Sequence, residues 1–177
     1  MANIVFIATS IDGYIADKEG GLDWLHAAPV PNDLDTGFNA IMERVDALVM
    51  GRNTLDVVLG FGVEWPYSKP VYVLSNTLTK VPEGYEEKVF LVNGELKEIV
   101  EQLNQKGLND LYIDGGATIQ GFLQQDLIDE MIITTIPVLL GGGAPLFGDL
   151  NTQQAFKLVK SETFAGAINQ VHYQRNR

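Results

Sequence analysis

The chain has 177 residues, 46% of them apolar, without the Pro, Ser or charge excess of a disordered segment, so one globular domain over residues 1–177 is expected. Its 12 Lys and Arg are scattered among 23 Asp and Glu, and a net charge of −11 with no basic stripe speaks against a nucleic-acid partner. There is no cysteine for disulfides or thiolate chemistry, no apolar run of membrane-spanning length, and no basic flank before the first apolar run, so a cytoplasmic protein with no membrane partner is expected.

Apolar runs alternate with amphipathic segments along most of the chain. Residues 3–10 form a strand-length apolar run, followed by a loop carrying Asp12-Gly13 and Gly20-Gly21. The spacing then predicts a helix over 32–45, with Asn32 as N-cap, Asp35 three residues on, and Leu34, Phe38, Ile41, Met42 and Val45 on one face. A buried strand at 47–51, a short helix at 52–59 and strands at 71–75 and 89–92 come next. A helix at 95–105 turns Leu96, Ile99, Val100 and Leu103 inward. A strand at 111–114 runs through Gly115-Gly116 into a helix that begins near Ala117. A strand at 130–137 and two alternating strands, 156–164 and 168–174 around Ala165-Gly166, complete the chain. About eight strands and four helices in this order predict a three-layer α/β domain. Its mixed sheet would be mostly parallel, covered on both faces, with antiparallel strands at one edge.

In such sheets ligands gather at the carboxyl ends of the strands. Four of these ends carry groups suited to anions. Gly51-Arg52-Asn53-Thr54 places a guanidinium, an amide and a hydroxyl at a helix start. Ser75-Asn76-Thr77 offers three small polar side chains, and Gly115-Gly116-Ala117-Thr118 a turn without Cβ atoms before a helix N-terminus. The run from Pro137 through Gly141-Gly142-Gly143 offers successive backbone N–H donors. Each feature taken singly also reads as a helix cap or a tight packing turn, and neither GxGxxG nor GxxxxGK[ST] spacing is present.

Gly51-Arg52-Asn53-Thr54, Leu74-Ser75-Asn76 and Asp114-Gly115-Gly116-Ala117 resemble, in order and spacing, the NADPH-binding segments of dihydrofolate reductase. The opening run from Ala8 to Ala16, with Ile11-Asp12-Gly13-Tyr14-Ile15 inside it, and the late Pro137-Val138-Leu139-Leu140-Gly141-Gly142-Gly143 are still more similar to the reductase domain of bacterial riboflavin biosynthesis and its free-standing relatives. The resemblance spans essentially the whole chain. It implies a dihydrofolate reductase-like fold with an eight-stranded mixed sheet, and an NADPH-dependent reduction of the 5-amino-6-(5-phosphoribosylamino)uracil reductase kind. Gly51, Arg52, Asn53 and Thr54 would then hold the pyrophosphate and 2′-phosphate side of NADPH, and Leu74, Ser75 and Asn76 would flank the adenosine. Gly115, Gly116, Ala117, Thr118 and Ile119 would cradle the pyrophosphate, while Ala8, Ile15 and Ala16 approach the nicotinamide. Trp24, Phe38, Pro137, Leu139, Gly142 and Phe147 are candidates for the substrate side, with ordinary core packing as the competing reading for the aromatics. Relatives of this kind pair through the late strands, which implies a homodimer.

Departures from the family patterns narrow this. Asp33 or Asp35 stands near the place of the single pterin-binding carboxylate of dihydrofolate reductase, although Asp35 has a competing use in the helix cap. Asp12, in the Asp-Gly loop, is a catalytic or substrate candidate whose plain reading is a β-turn. No arginine follows Leu74-Ser75-Asn76 to receive a folate tail, only Lys80, which argues against dihydrofolate reductase itself. With no HxE and PCxxC pair and only His26 and His172, no deaminase and no metal site are expected. The leading expectation is an NADPH-dependent reductase of a small planar heterocycle, pterin-like or pyrimidine-like. The alternatives are a non-catalytic nucleotide or heterocycle sensor, or a structural protein whose glycine loops only turn the chain.

Overall fold

In the strand Ala47–Gly51, residues Ala47 and Val49 pack on one side and Leu48 and Met50 on the other, and all four are fully buried. A strand apolar on both faces needs cover on both. The computed structural model, which describes residues 1–177, meets that need with two helices on each face of an eight-stranded sheet. The strand order is β5 (Val89–Val92), β4 (Val71–Leu74), β3 (Ala47–Gly51), β6 (Asp110–Asp114), β1 (Ala2–Ser10), β7 (Glu130–Ile136), β10 (Ile168–Arg175) and β9 (Phe156–Phe164). All pairings from β5 to β7 are parallel, and β7–β10 and β10–β9 are antiparallel.

On one face Val5, Val49, Leu111 and Ile113 pack against Ile99 and Leu103 of α3 (Leu96–Gln105) and against Ile119, Phe122 and Leu123 of α4 (Gly116–Gln124). The i, i+3, i+4, i+7 spacing of Leu96, Ile99, Val100 and Leu103 is what presses α3 onto the sheet. On the other face Ile4, Leu48, Met50 and Tyr112 meet Ile41 and Met42 of α1 (Phe38–Arg44) and Leu55 of α2 (Arg52–Gly60). Phe122 exposes none of its surface, and enclosing a side chain of that size contributes roughly 2–3 kcal/mol. The three-residue connection Ala165-Gly166-Ala167 between β9 and β10 has Ala165 and Gly166 at φ 52° and 63°, a left-handed pair closed by the Ala167 N–H donating to the Phe164 carbonyl at 3.0 Å.

The first helix is shorter than its apolar spacing predicts. It begins at Phe38, because Gly37 has a φ of 110° and the Asp35 carboxylate accepts the N–H groups of Gly37 (2.9 Å) and Phe38 (2.8 Å). The N-cap position is therefore Gly37 and not Asn32, with the Asp35 carboxylate over the helix start, and Leu34 packs against a separate small cluster around Trp24, Ala28, Ile136 and Ile168. A two-stranded ribbon of β2 (Tyr14–Ala16) and β8 (Ala144–Pro145) also stands where no strand is predicted. Elements of three and two residues carry no readable periodicity. No helix is long and apolar enough to cross a membrane.

Candidate active site

The site follows from an unequal pairing of the central strand. β1 pairs with β6 only from Ala2 to Val5, whereas its pairing with β7 continues to Ser10. Beyond Val5 the two parallel neighbours part, and a groove opens along the freed edge of Ile7 and Ala8, at the carboxyl ends of the strands. One half, about 310 Å³, lies between Ala8, Ile15 and Ala16, the helix α2 and the Gly115-Gly116 turn. The other, about 370 Å³, lies between β1, residues 25–36, and Thr134, Ile136 and Ile168. Ile7, Ala8 and Leu25 line both halves, which therefore lie side by side along β1.

The Gly115-Gly116 turn is needed for both packing and access. Gly115 has a φ of 92°, and the Thr54 hydroxyl occupies the space a Cβ would take. At Gly116 a Cβ would meet Ile15 Cδ1 at 2.8 Å. The turn thus lets α2 and β2 close on the N-terminus of α4 while leaving bare backbone in the groove wall. Gly51 makes a similar close approach, to Thr118 Oγ1.

Asp114, the last residue of β6, lines the same half. Burial pushes its carboxyl up to about 6, against the opposing effect of the Gly115 N–H, which donates to Oδ1 at 2.9 Å. Tyr67 faces this half too, and burial, reinforced by the Asp114 charge, raises its phenol well above the ordinary value, so it stays protonated. A carboxyl poised near neutrality in an apolar groove can hold or release a proton at physiological pH.

Of the residues expected at a cofactor, Ala8, Ile15, Ala16, Asn53, Thr54, Gly115 and Gly116 meet in this half. Leu74, Ser75 and Asn76 line a separate hollow of about 260 Å³ at the ends of β4 and β5, with the Ser75 hydroxyl accepting the N–H groups of Thr77 and Leu78. Arg52 lines neither hollow: it is exposed, and its guanidinium donates to Thr77 Oγ1 at 3.2 Å and lies 3.7 Å from Asp56. Ala117 is exposed at the start of α4, while Thr118 and Ile119 are buried beneath the turn.

None of the three expected catalytic carboxylates lines the groove. Asp12 accepts from Ser10 Oγ (2.6 Å) and from the N–H groups of Leu140 (3.1 Å) and Gly141 (2.8 Å), tying the loop after β1 to the loop after β7. The Ser10 hydroxyl and those two amides hold its carboxyl below the usual range. Asp35 is spent on the α1 cap, and the Gly37 and Phe38 amides keep it ionised. Asp33 is exposed, alternating with Asn32 and Leu34, which do line the groove.

The expected substrate residues also lie elsewhere. Trp24 sits in the small apolar cluster with its Nε1 donating to the Gly21 carbonyl at 3.2 Å, and Phe38 packs on the Tyr67 ring. Pro137 and Leu139 are exposed, and Phe147 lines another hollow with Met131, Ile133 and Tyr173. Gly142 lies over the Lys18 stem and Gly143 against the Ala16 carbonyl. The glycine run therefore closes on the β2 loop instead of presenting donors to the groove, since a chain that packs backbone on backbone has no room for Cβ atoms. Asp114 and Tyr67 escape the sequence reading of the site. A charged residue ending an apolar strand just before Gly-Gly is the signal for Asp114, and Tyr67, in a loop without periodicity, offers none.

The strand order and the groove at the carboxyl ends define a dihydrofolate reductase-like α/β fold. The dihydrofolate reductase of Enterococcus faecalis complexed with NADP(H) superposes with a TM-score of 0.65 at 20% identity, over 99% of this chain and 97% of that one. The sequence matches the RibD C-terminal domain over residues 3–169, and the chain belongs to that family, a family of reductases. A riboflavin biosynthesis protein from Shewanella sp. PV-4, described as putative in its name, is 66% identical over the whole of both chains, with a TM-score of 0.98. The diaminohydroxyphosphoribosylaminopyrimidine deaminase/5-amino-6-(5-phosphoribosylamino)uracil reductase of Thermotoga maritima shares the fold at 18% identity and a TM-score of 0.73. That match covers 99% of this chain and 56% of the larger protein.

Proposed function

We propose that this chain is an NADPH-dependent reductase of a small planar heterocycle, pterin-like or pyrimidine-like. The observation that carries the reading is the pair of adjoining hollows, one walled by bare glycine backbone with the Asp114 carboxyl in its lining, the other of heterocycle size, that share Ile7, Ala8 and Leu25. The glycine half fits the cofactor. Ala8, Ile15 and Ala16 offer a flat apolar bed, the Gly115-Gly116 backbone admits a pyrophosphate at the start of α4, and Arg52 reaches toward the hollow at Ser75 and Asn76 for the 2′-phosphate. The cofactor, when bound, supplies the hydride. The chain's own share is to hold the two rings face to face along Ile7 and Ala8, to exclude water with Leu22, Leu25 and Phe61, and to deliver a proton from Asp114.

Titration with NADPH and NADH, followed by Trp24 and Trp65 fluorescence, tests the reading. Selective binding of NADPH that weakens about tenfold on Arg52→Ala is the expected result, since one charge-assisted contact to a phosphate is worth roughly 1.5 kcal/mol. Absence of binding to either nucleotide would remove the basis for a reductase, and binding without turnover on any heterocycle would favour a sensor.

We also propose a homodimer formed through the β9–β10 end of the sheet. Leu158 and Val159 are exposed on the edge strand β9, and no helix covers the hollow beside Phe147, Met131 and Tyr173. Sedimentation as a dimer that dissociates on Leu158→Glu is expected, and monomer alone at tens of micromolar, roughly the range of weak association, would refute it.

A further inference from the structure

The second half of the groove restricts what it can hold. Its walls are mostly apolar, with Phe6, Ile7, Val30, Leu34, Ile136 and Ile168 around a few neutral hydrogen-bonding groups. The Gln170 amide, behind the lining, donates to the Thr36 carbonyl (2.8 Å) and to Thr134 Oγ1 (3.0 Å). No lysine or arginine lines it, and its one titratable side chain is His26, exposed at the rim.

Three arginines elsewhere are held by carboxylates: Arg44 by both oxygens of Glu130, Arg175 by Asp126 and Arg177 by Asp129. A helix N-terminus is the other usual seat for a phosphate. The one beside this cavity, at α1, already holds an anion, because the Asp35 carboxylate takes the Gly37 and Phe38 amides. Asp33, next to the lining residues Asn32 and Leu34, adds further negative charge at this side.

We propose that this cavity takes a neutral, unphosphorylated planar heterocycle. In this respect the chain departs from the phosphoribosyl compound in the name of the Thermotoga enzyme. The proposal rests on the reductase reading above and specifies its substrate class. A phosphate carried into this cavity would be partly stripped of water and unpaired, beside a carboxylate of its own sign.

The experiment is a calorimetric comparison, on NADP⁺-saturated protein, of matched pairs with and without phosphate. Suitable pairs are 5-amino-6-(ribosylamino)uracil with its 5-phosphate, and pyridoxine with pyridoxine phosphate. The unphosphorylated member is expected to bind at least about tenfold more tightly, and Val30→Lys to close that gap by about tenfold, as an added cation in the lining would. Equal or tighter binding of the phosphorylated member by the wild-type chain would overturn the proposal. Failure of every pair to bind while NADP⁺ still binds would overturn it too. Loss of NADP⁺ binding would instead break the reductase reading, so the two failures are distinguishable.

Discussion

The two halves of the groove are made of different material. The half beside Gly115 and Gly116 takes most of its lining from β1, β2, β6, α2 and the start of α4, with Gly20, Leu22, Leu25, Phe61 and Tyr67 completing it. The other half takes most of its lining from residues 25–36, which carry a 3-10 turn over Asp23–His26 and local bonds such as Val30 N–H to Ala28 and Leu34 N–H to Pro31. A long-range tie of that segment is Gln170, reaching across to the Thr36 carbonyl. A constellation that must hold a reacting geometry gains from rigid elements, whereas a surface that selects among ligands can be built on an irregular segment. The comparison separates the residues expected to govern turnover from those expected to govern choice of substrate.

The sharpest way to break it is Asp114→Asn. With the proton donor removed, kcat is expected to fall roughly 10²–10⁴-fold while NADPH affinity is retained. In the wild-type protein kcat should decline as pH rises through about 6, where Asp114 loses its proton, and the variant should lack that limb. Stability also falls as pH rises. Because the folded-state value lies above the ordinary 3.8, the folded chain keeps a proton between 3.8 and about 6 that the unfolded chain has released. Stability therefore drops across that window and remains lower at pH 7, and the neutral Asn should restore on the order of 2 kcal/mol, read as a higher urea midpoint. A variant that loses activity and stability together would place Asp114 in the framework and not in the chemistry.

Gly115→Ala tests the rigid half through its backbone. A methyl there meets Thr54 at a φ of 92°, so a loss of roughly 3 kcal/mol in urea unfolding, with weakened NADPH binding, is expected. Gln170→Ala tests the irregular half and should act more gently. It removes a donor from the Thr36 carbonyl and from Thr134, costing about 1 kcal/mol of stability. Its expected signature is a raised KM for the heterocycle with NADPH affinity unchanged. If Gln170→Ala altered nucleotide binding as much as Gly115→Ala does, the two halves would be one mechanical unit.

Much of the architecture is legible in the amino-acid order because the strands are apolar on both sides. The run Ala47-Leu48-Val49-Met50 announces a buried parallel strand, and Leu96, Ile99, Val100 and Leu103 announce the helix that covers it. The order of the cofactor-like segments is legible for a related reason, since glycines and small polar residues at strand ends mark places where backbone must be approached. The carboxylates mislead. Asp12, Asp33 and Asp35 are conspicuous in sequence because they flank turns and a helix start, and Asp12 and Asp35 serve those turns and caps. The start of α1 misleads too, because apolar spacing registers a face but not the left-handed Gly37 that stops the helix short.

The sequence by itself determined the alternation of buried strands and amphipathic helices, the antiparallel closing hairpin and the glycine turn after β6, all set by side-chain periodicity and backbone freedom within a few residues of each position. Only the tertiary structure decided where β1 leaves β6, and hence where the groove opens, because that depends on registers between strands more than a hundred residues apart. It also decided that Asp114, unremarkable in a list of 23 acids, is the one whose carboxyl titrates near neutrality. A pKa is set by what surrounds a group in space, and the half of the groove that Asp114 lines is closed partly by Tyr67, from a distant part of the chain.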